Sequence, residues 1–111
     1  MAAHTMNINP RSFEAIQDGS KTLEVRLKKD GVEQYAVGDT LTIRDRESGH
    51  SVDKKITSLK SYGSVEDLIR SEDLAANAVV TEPAAFVERL RSFQTAEDEQ
   101  EYGLVAIRFG S

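Results

Sequence analysis

Apolar and polar positions alternate most strictly between residues 22 and 28. Leu23, Val25 and Leu27 fall on one side, and Thr22, Glu24, Arg26 and Lys28 on the other. A period of two is the mark of a half-buried strand, and the second face of this one is unusually charged. Weaker alternation predicts a first strand over His4–Ile8, broken by Asn9-Pro10. Proline suits the first turn of a helix, so Phe13, Ile16 and the aliphatic part of Arg11 predict a short amphipathic helix over Pro10–Asp18, ended by Gly19. Asp30-Gly31 and Val37-Gly38-Asp39 mark turns. A hairpin follows: Thr40–Arg46 with Leu41 and Ile43 inward, a tip at Ser48-Gly49, and a return strand Ser51–Tyr62. The apolar positions of that return strand, Val52, Ile56 and Leu59, change phase enough to predict a bulge.

In the second half, Ser64 is placed to accept the amide of Asp67 and to open a helix that buries Val65, Leu68 and Ile69. Residues 75–80 read as an alanine-rich linker or a frayed helix end. Thr81 is the expected cap of a further helix, with Glu82 and Pro83 in its first turn and Phe86, Val87, Leu90 and Phe93 as its apolar stripe. An acidic segment, Glu97–Glu101, precedes Tyr102-Gly103 and a last strand, Leu104–Phe109. The unbroken apolar run Leu104–Ile107 places that strand in the middle of the fold. The expected class is α+β: a small curled sheet or barrel of about five to six strands, one helix after the first strand and two before the last. Repeats, low-complexity tracts and domain linkers are absent, so one domain over 1–111 is expected.

Composition narrows the chemistry. With 39% hydrophobic and 30% charged residues, 111 residues can bury one core without metal or disulfide staples. No apolar run approaches the ~18 residues of a membrane span. The opening MAAHTMNI has no basic region followed by an apolar stretch, so the cytoplasm is the expected compartment and no membrane partner is expected. The absence of cysteine excludes disulfides, thiolate metal sites and thiol nucleophiles. His4 and His50 are the only histidines, and neither a metal nor a cofactor is expected. The net charge of −5 is uneven: residues 1–60 carry +1 and residues 61–111 carry −6. Bulk electrostatic wrapping of long nucleic acid calls for a basic protein, so a nucleic-acid ligand would have to meet a small local site.

One cluster stands out, Gly19-Ser20-Lys21-Thr22-Leu23-Glu24-Val25-Arg26-Leu27. Lys21 at a helix–strand corner can meet a phosphate or carbonyl, or act as a base if burial lowers its pKa. Glu24 can accept from the amino group of a base edge or move a proton, and Arg26 can bind a phosphate or hold Glu24 ionised. The plainer alternative is an ion pair on the strand face, with Lys21 in solvent. Candidate binding residues are therefore Lys21, Thr22, Glu24, Arg26 and His4, with His4 also readable as a structural strand residue. His50 sits at a hairpin tip, and Asp39 is expected to bond its own turn. Tyr35, Tyr62 and Tyr102 serve for packing or for stacking, and Arg44, Arg46, Lys54 and Lys55 could make a basic hairpin edge.

The segment FEAIQDGSKTLEVRL resembles the signature of the ASCH domain, a compact relative of the PUA fold. Phe13, Gly19, Lys21, Glu24 and Arg26 stand at its Gly-x-Lys-x-x-Glu-x-Arg positions and at the aromatic of the preceding helix. YAVGDTLTI, YGSVEDLI and EDEQEYGLVAIRF are similar to further family segments, so the resemblance spans nearly the whole chain. It implies a PUA-like pseudo-barrel with a Lys/Glu/Arg-lined cleft that binds RNA or a modified nucleoside. Some small members remove the acetyl group of N4-acetylcytidine with a Lys-x-x-Thr pair and a distant glutamate. Here Lys21 matches, but Glu24 stands at the nucleophile's position, and a carboxylate cannot form the hydroxyl-derived ester. Glu66 and Glu72 are equal candidates for the distant glutamate. The leading expectation is a binding module for RNA or a modified nucleoside, with the oligomeric state left open and a monomer slightly favoured. A hydrolase with Lys21 and Glu24 as acid and base, and a partner-binding domain with an unused cleft, are the alternatives.

Overall fold

The last strand of the chain lies inside the sheet, between strands that precede it by dozens of residues. The computed structural model describes residues 1–110; Ser111, the end of the expected domain, lies outside the described residues. Five strands, β1 (Ala3–Ile8), β2 (Leu23–Leu27), β3 (Thr40–Asp45), β4 (Ser51–Tyr62) and β5 (Leu104–Phe109), hydrogen-bond in the order β1-β3-β4-β5-β2. β1 runs parallel to β3, and every other pairing is antiparallel.

β5 is apolar from Leu104 to Ile107 because both of its faces are covered there, and Arg108 is its one charged residue. Val105, Ile107 and Phe109 join a core with Met6, Ile8, Phe13, Ile16, Leu41, Ile43 and Ile56. Leu104 and Ala106 point the other way, to Leu23, Val25, Leu68, Phe86 and Leu90. β4 serves two neighbours in turn: Ser51–Lys55 pairs with β3, and after a register shift between Ile56 and Ser58 the strand pairs with β5. The bulge predicted from the phase change is therefore present, and it bends β4 and curls the sheet into a half-barrel. β1 and β2 are left as its two free edges. No helix among the described residues is long and apolar enough to cross a membrane.

The helices are α1 (Pro10–Gln17), α2 (Val65–Ser71), α3 (Pro83–Arg91) and α4 (Ala96–Tyr102). Three helices thus precede the last strand, where two were expected. The extra one, α4, is the acidic segment: Thr95 and Asp98 form a reciprocal capping box, and Glu97, Asp98 and Glu99 favour its positive N-terminal end. Its buried residue is Glu99, which accepts the Val65 amide at 3.1 Å and pairs with Arg91. A helix that buries a carboxylate carries no apolar stripe, so hydrophobic periodicity could not show it. The expected linker is partly ordered too, as a 3₁₀ turn over Leu74–Asn77 with both end residues buried. At α3 the cap is Glu82 rather than Thr81, its carboxylate accepting the amides of Ala84 and Ala85.

The α3 stripe needs one correction. Phe86 and Leu90 are buried and Val87 is partly so, but Phe93 is 64% exposed. Gln94, which continues the four-residue spacing 86, 90, 94, is the side chain turned inward.

Candidate functional site

The free edges of β1 and β2 face one cleft of about 770 Å³, closed on a further side by α3 and the residues just after it. β1 contributes Thr5 and Asn7, and β2 contributes Glu24 and Arg26. Arg89, Phe93 and Gln94 come from the α3 side. A volume of this order accommodates a nucleotide-sized ligand.

Lys21 reaches the cleft through the way α1 ends. Asp18 is the C-cap, and Gly19 follows at φ +89°, a left-handed conformation that costs glycine little. The chain then folds back, with the Lys21 amide donating to the Ala15 carbonyl at 2.9 Å and the Thr22 amide to Ala76 at 2.8 Å. The Lys21 side chain is 2% exposed, not solvated. Nζ donates to the carbonyls of Leu23 (2.8 Å) and Asn77 (3.3 Å), and lies 3.4 Å from Glu24 Oε1. Three oxygens thus meet the three donors of the ammonium.

Asn77 is held in place by strained backbone. Ala78 has φ +66°, and the Val79 amide donates to the Asn77 carbonyl at 2.7 Å, closing a γ-turn of the rare positive-φ kind. The Asn77 carbonyl therefore accepts from both Val79 and Lys21.

Glu24 joins two cations. Oε1 faces Lys21, and Oε2 accepts from Arg26 Nε (3.1 Å) and Nη2 (2.9 Å). Arg26 Nη2 also donates to the Asn7 carbonyl at 2.9 Å. Burial by itself would raise the Glu24 pKa, but the charges and hydrogen bonds of Lys21 and Arg26 outweigh it and hold the carboxyl below its usual range. Burial pulls Lys21 below the usual lysine range, against the attraction of Glu24. The cluster singled out in the sequence is therefore one connected chain of groups, Lys21–Glu24–Arg26–Asn7.

Two predicted binding residues lie outside the cleft lining. Thr22 is held by its backbone, which also accepts the Phe109 amide. His4 Nε2 is 2.8 Å from Asp39 Oδ2, and its ring centroid is 4.5 Å from that of Tyr35. Asp39 also accepts the amides of Ala2 and Ala36; the His4 contact first, together with these bonds, depresses its pKa against the opposing effect of burial. Neither candidate for the distant glutamate lines the cleft. Glu72 is buried between Arg108 and Tyr62, and Glu66 is exposed beside Arg91. Among the described residues, no three His, Asp or Glu side chains form a group able to hold a metal.

Sequence reasoning missed Asn7, Asn77, Arg89 and Gln94 as cleft residues. Gln94 carried a signal, a polar residue on an otherwise apolar helical spacing. Asn77 did not, because its contribution is a main-chain carbonyl. Arg46, seen only as hairpin edge, also lines the cleft. Arg46 and Arg89 have no ion-pair partner among the described residues.

A curled half-barrel open between its edge strands, with a Lys/Glu/Arg wall at the opening, is the small PUA-like ASCH fold. Solved structures agree. The crystal structure of an ASCH domain from Lactobacillus crispatus JV V101 superposes with a TM-score of 0.70 at 15% identity, over 98% of this chain and 79% of that one. ASCH from Zymomonas mobilis gives 0.65 at 17% identity, over 96% and 66%. The crystal structure of hypothetical protein PH0355 is more similar, with a TM-score of 0.85, 26% identity and 97% coverage of both chains. A family model described as a domain of unknown function, DUF3850, matches residues 3–68, and the chain belongs to that family. No curated protein matches.

Proposed function

We propose that residues 1–111 act as one unit that binds a modified nucleoside or a short single-stranded RNA segment in the cleft between β1 and β2. The observation that carries this reading is the composition of the cleft. A fixed polar wall, Lys21–Glu24–Arg26, shares a nucleotide-sized space with two arginines, Arg46 and Arg89, that have no ion-pair partner among the described residues. The wall supplies an acceptor and donors for a base edge, and the arginines supply charge for a phosphate. The overall negative charge supports a local site over a long duplex-binding surface. In this reading the protein works as a cytoplasmic monomer.

Binding is better supported than hydrolysis. Lys21 is buried among two carbonyls and Glu24, and Lys21 with Arg26 holds Glu24 ionised, an arrangement that favours a fixed polar wall over an acid–base pair. Neither Glu66 nor Glu72 lines the cleft.

The test is an NMR titration with N4-acetylcytidine, unmodified nucleosides, nucleoside monophosphates and short RNAs, followed over time for product. Shifts should concentrate on cleft amides without turnover. Arg46→Ala with Arg89→Ala should weaken monophosphates and RNA by about tenfold or more, leave nucleosides nearly unchanged and flatten the salt dependence. Lys54→Ala with Lys55→Ala, on the outer hairpin, should do little. Binding that depends on the hairpin lysines and ignores the cleft overturns the reading, and steady product formation replaces it with hydrolysis.

A further inference from the structure

Among the described residues, Gln94 Nε2 is the one buried side-chain polar atom without a hydrogen-bond partner. Gln94 is only 8% exposed, and it lines the cleft. An unpaired amide inside a protein lowers stability, whereas an apolar side chain of similar size would not. Gln94 lies three residues beyond the end of α3, yet its side chain is turned inward as those of Phe86 and Leu90 are, where an apolar residue would cost nothing. The chain keeps an amide there instead, at the wall of the cavity.

The neighbouring residue shows the converse anomaly. Phe93 is 64% exposed and lies on the same cleft. An exposed ring beside an unpaired amide is what a planar, hydrogen-bonding heterocycle requires: a face to stack on and an edge partner that both donates and accepts. Arg89, in the last turn of α3, adds a guanidinium that is exposed and has no ion-pair partner among the described residues.

The geometry points to Gln94 as the residue that selects which base the cleft accepts, its amide reading the edge of a nucleobase stacked on Phe93. This deepens the nucleoside-binding reading and rests on it. Lys21, Glu24 and Arg26 are locked to one another, so they present the same polar wall to any base. Gln94 Nε2 has no partner among the described residues to give up, and because it is covered in the free protein the amide must turn toward the cavity for a matching edge to gain the hydrogen bond. A mismatched edge leaves the amide unpaired or meets donor with donor.

The experiment titrates each of the four nucleoside 5′-monophosphates into wild-type protein, Gln94→Met, Gln94→Glu and Phe93→Ala, with thermal melts of every variant. Wild-type protein should prefer one base over the poorest by about tenfold or more. Gln94→Met should melt at or above the wild-type temperature and bind all four within about twofold of one another. Gln94→Glu, which keeps the shape but only accepts, should change the order of preference. Phe93→Ala should weaken all four to a similar degree. A wild-type protein that binds without preference, or an unchanged preference in either Gln94 variant, overturns this inference and leaves the binding reading standing. Absence of any wild-type binding overturns both.

Discussion

The Arg26 guanidinium donates to the Asn7 carbonyl at 2.9 Å, and so ties together two strands that share no ladder. β1 and β2 are opposite ends of the sheet order, and a closed barrel would pair them through the backbone. Here one side chain bridges the seam, and the seam is otherwise left as the cleft. Arg26 therefore belongs to the architecture and to the lining of the cleft together.

Removing Arg26 should loosen that seam more than it destabilises the core. Arg26 is about one-third exposed, and Glu24 keeps Lys21 as a partner when the guanidinium is lost. Arg26→Ala is expected to cost about 1–2 kcal/mol, discounted for solvent screening. Arg26→Lys should recover only part, since an ammonium cannot make the fork to Glu24 and the Asn7 bond in one planar geometry. Urea unfolding measures the cost. A loss near zero for Arg26→Ala would show the bridge to be incidental.

Lys21 presents the opposite case. The plainer alternative in the sequence, an ion pair on the strand face with Lys21 in solvent, would make Lys21→Ala nearly neutral for stability. With Lys21 buried against Glu24 and two carbonyls, Lys21→Met should cost about 3–5 kcal/mol, the range for breaking a buried pair on one side. Adding Glu24→Gln should cost less than the sum of the single changes, because the stranded carboxylate is removed with its partner. A denaturant series on the two single variants and the double measures the coupling, and strict additivity would contradict it.

The same cluster fixes the sign of the acid response. The folded pKa of Glu24 lies below its ordinary 4.5, so beneath that pH the unfolded chain binds more protons than the native one. The stability it contributes is complete above this window and is lost as pH falls through the native value. Asp39, depressed below 3.8 chiefly by His4, adds a loss of the same sign at lower pH. At the alkaline end Lys21 is depressed below 10.5, so between its native value and 10.5 stability rises with pH. Carboxyl carbon shifts followed by NMR should show Glu24 titrating below 4.5. A midpoint above that value would refute the assignment.

Ala78 offers a gain. A non-glycine residue at φ +66° stores strain, and glycine there relieves more than its extra chain entropy removes. Ala78→Gly should stabilise the protein by about 1 kcal/mol, raising the melting temperature by about 4 °C. Ala78→Val should destabilise it. A lower melting temperature for the glycine variant would mean that the turn is not strained.

Where the physics is local, the chain alone was enough. Strict alternation set β2, Asn9-Pro10 and Gly19 bounded α1, and the apolar run of β5 announced a strand covered on both faces. The Lys21–Glu24–Arg26 cluster was legible as well, because three charges at a helix–strand corner are conspicuous in any context. What tertiary structure decided was how those groups are satisfied. Burial of Lys21 depends on the Asn77 carbonyl, 56 residues away, and a main-chain oxygen leaves no trace in side-chain pattern. The identity of α4 depends on Glu99 meeting Val65 and Arg91, which no periodicity of apolar residues encodes. The exchange of Phe93 for Gln94 on the inner face follows from where α3 ends and where the cleft begins. Local propensity and alternation determine which segments form elements. Long-range pairing of polar groups determines which of their side chains remain free to meet a ligand, and that pairing exists only once the chain has closed on itself.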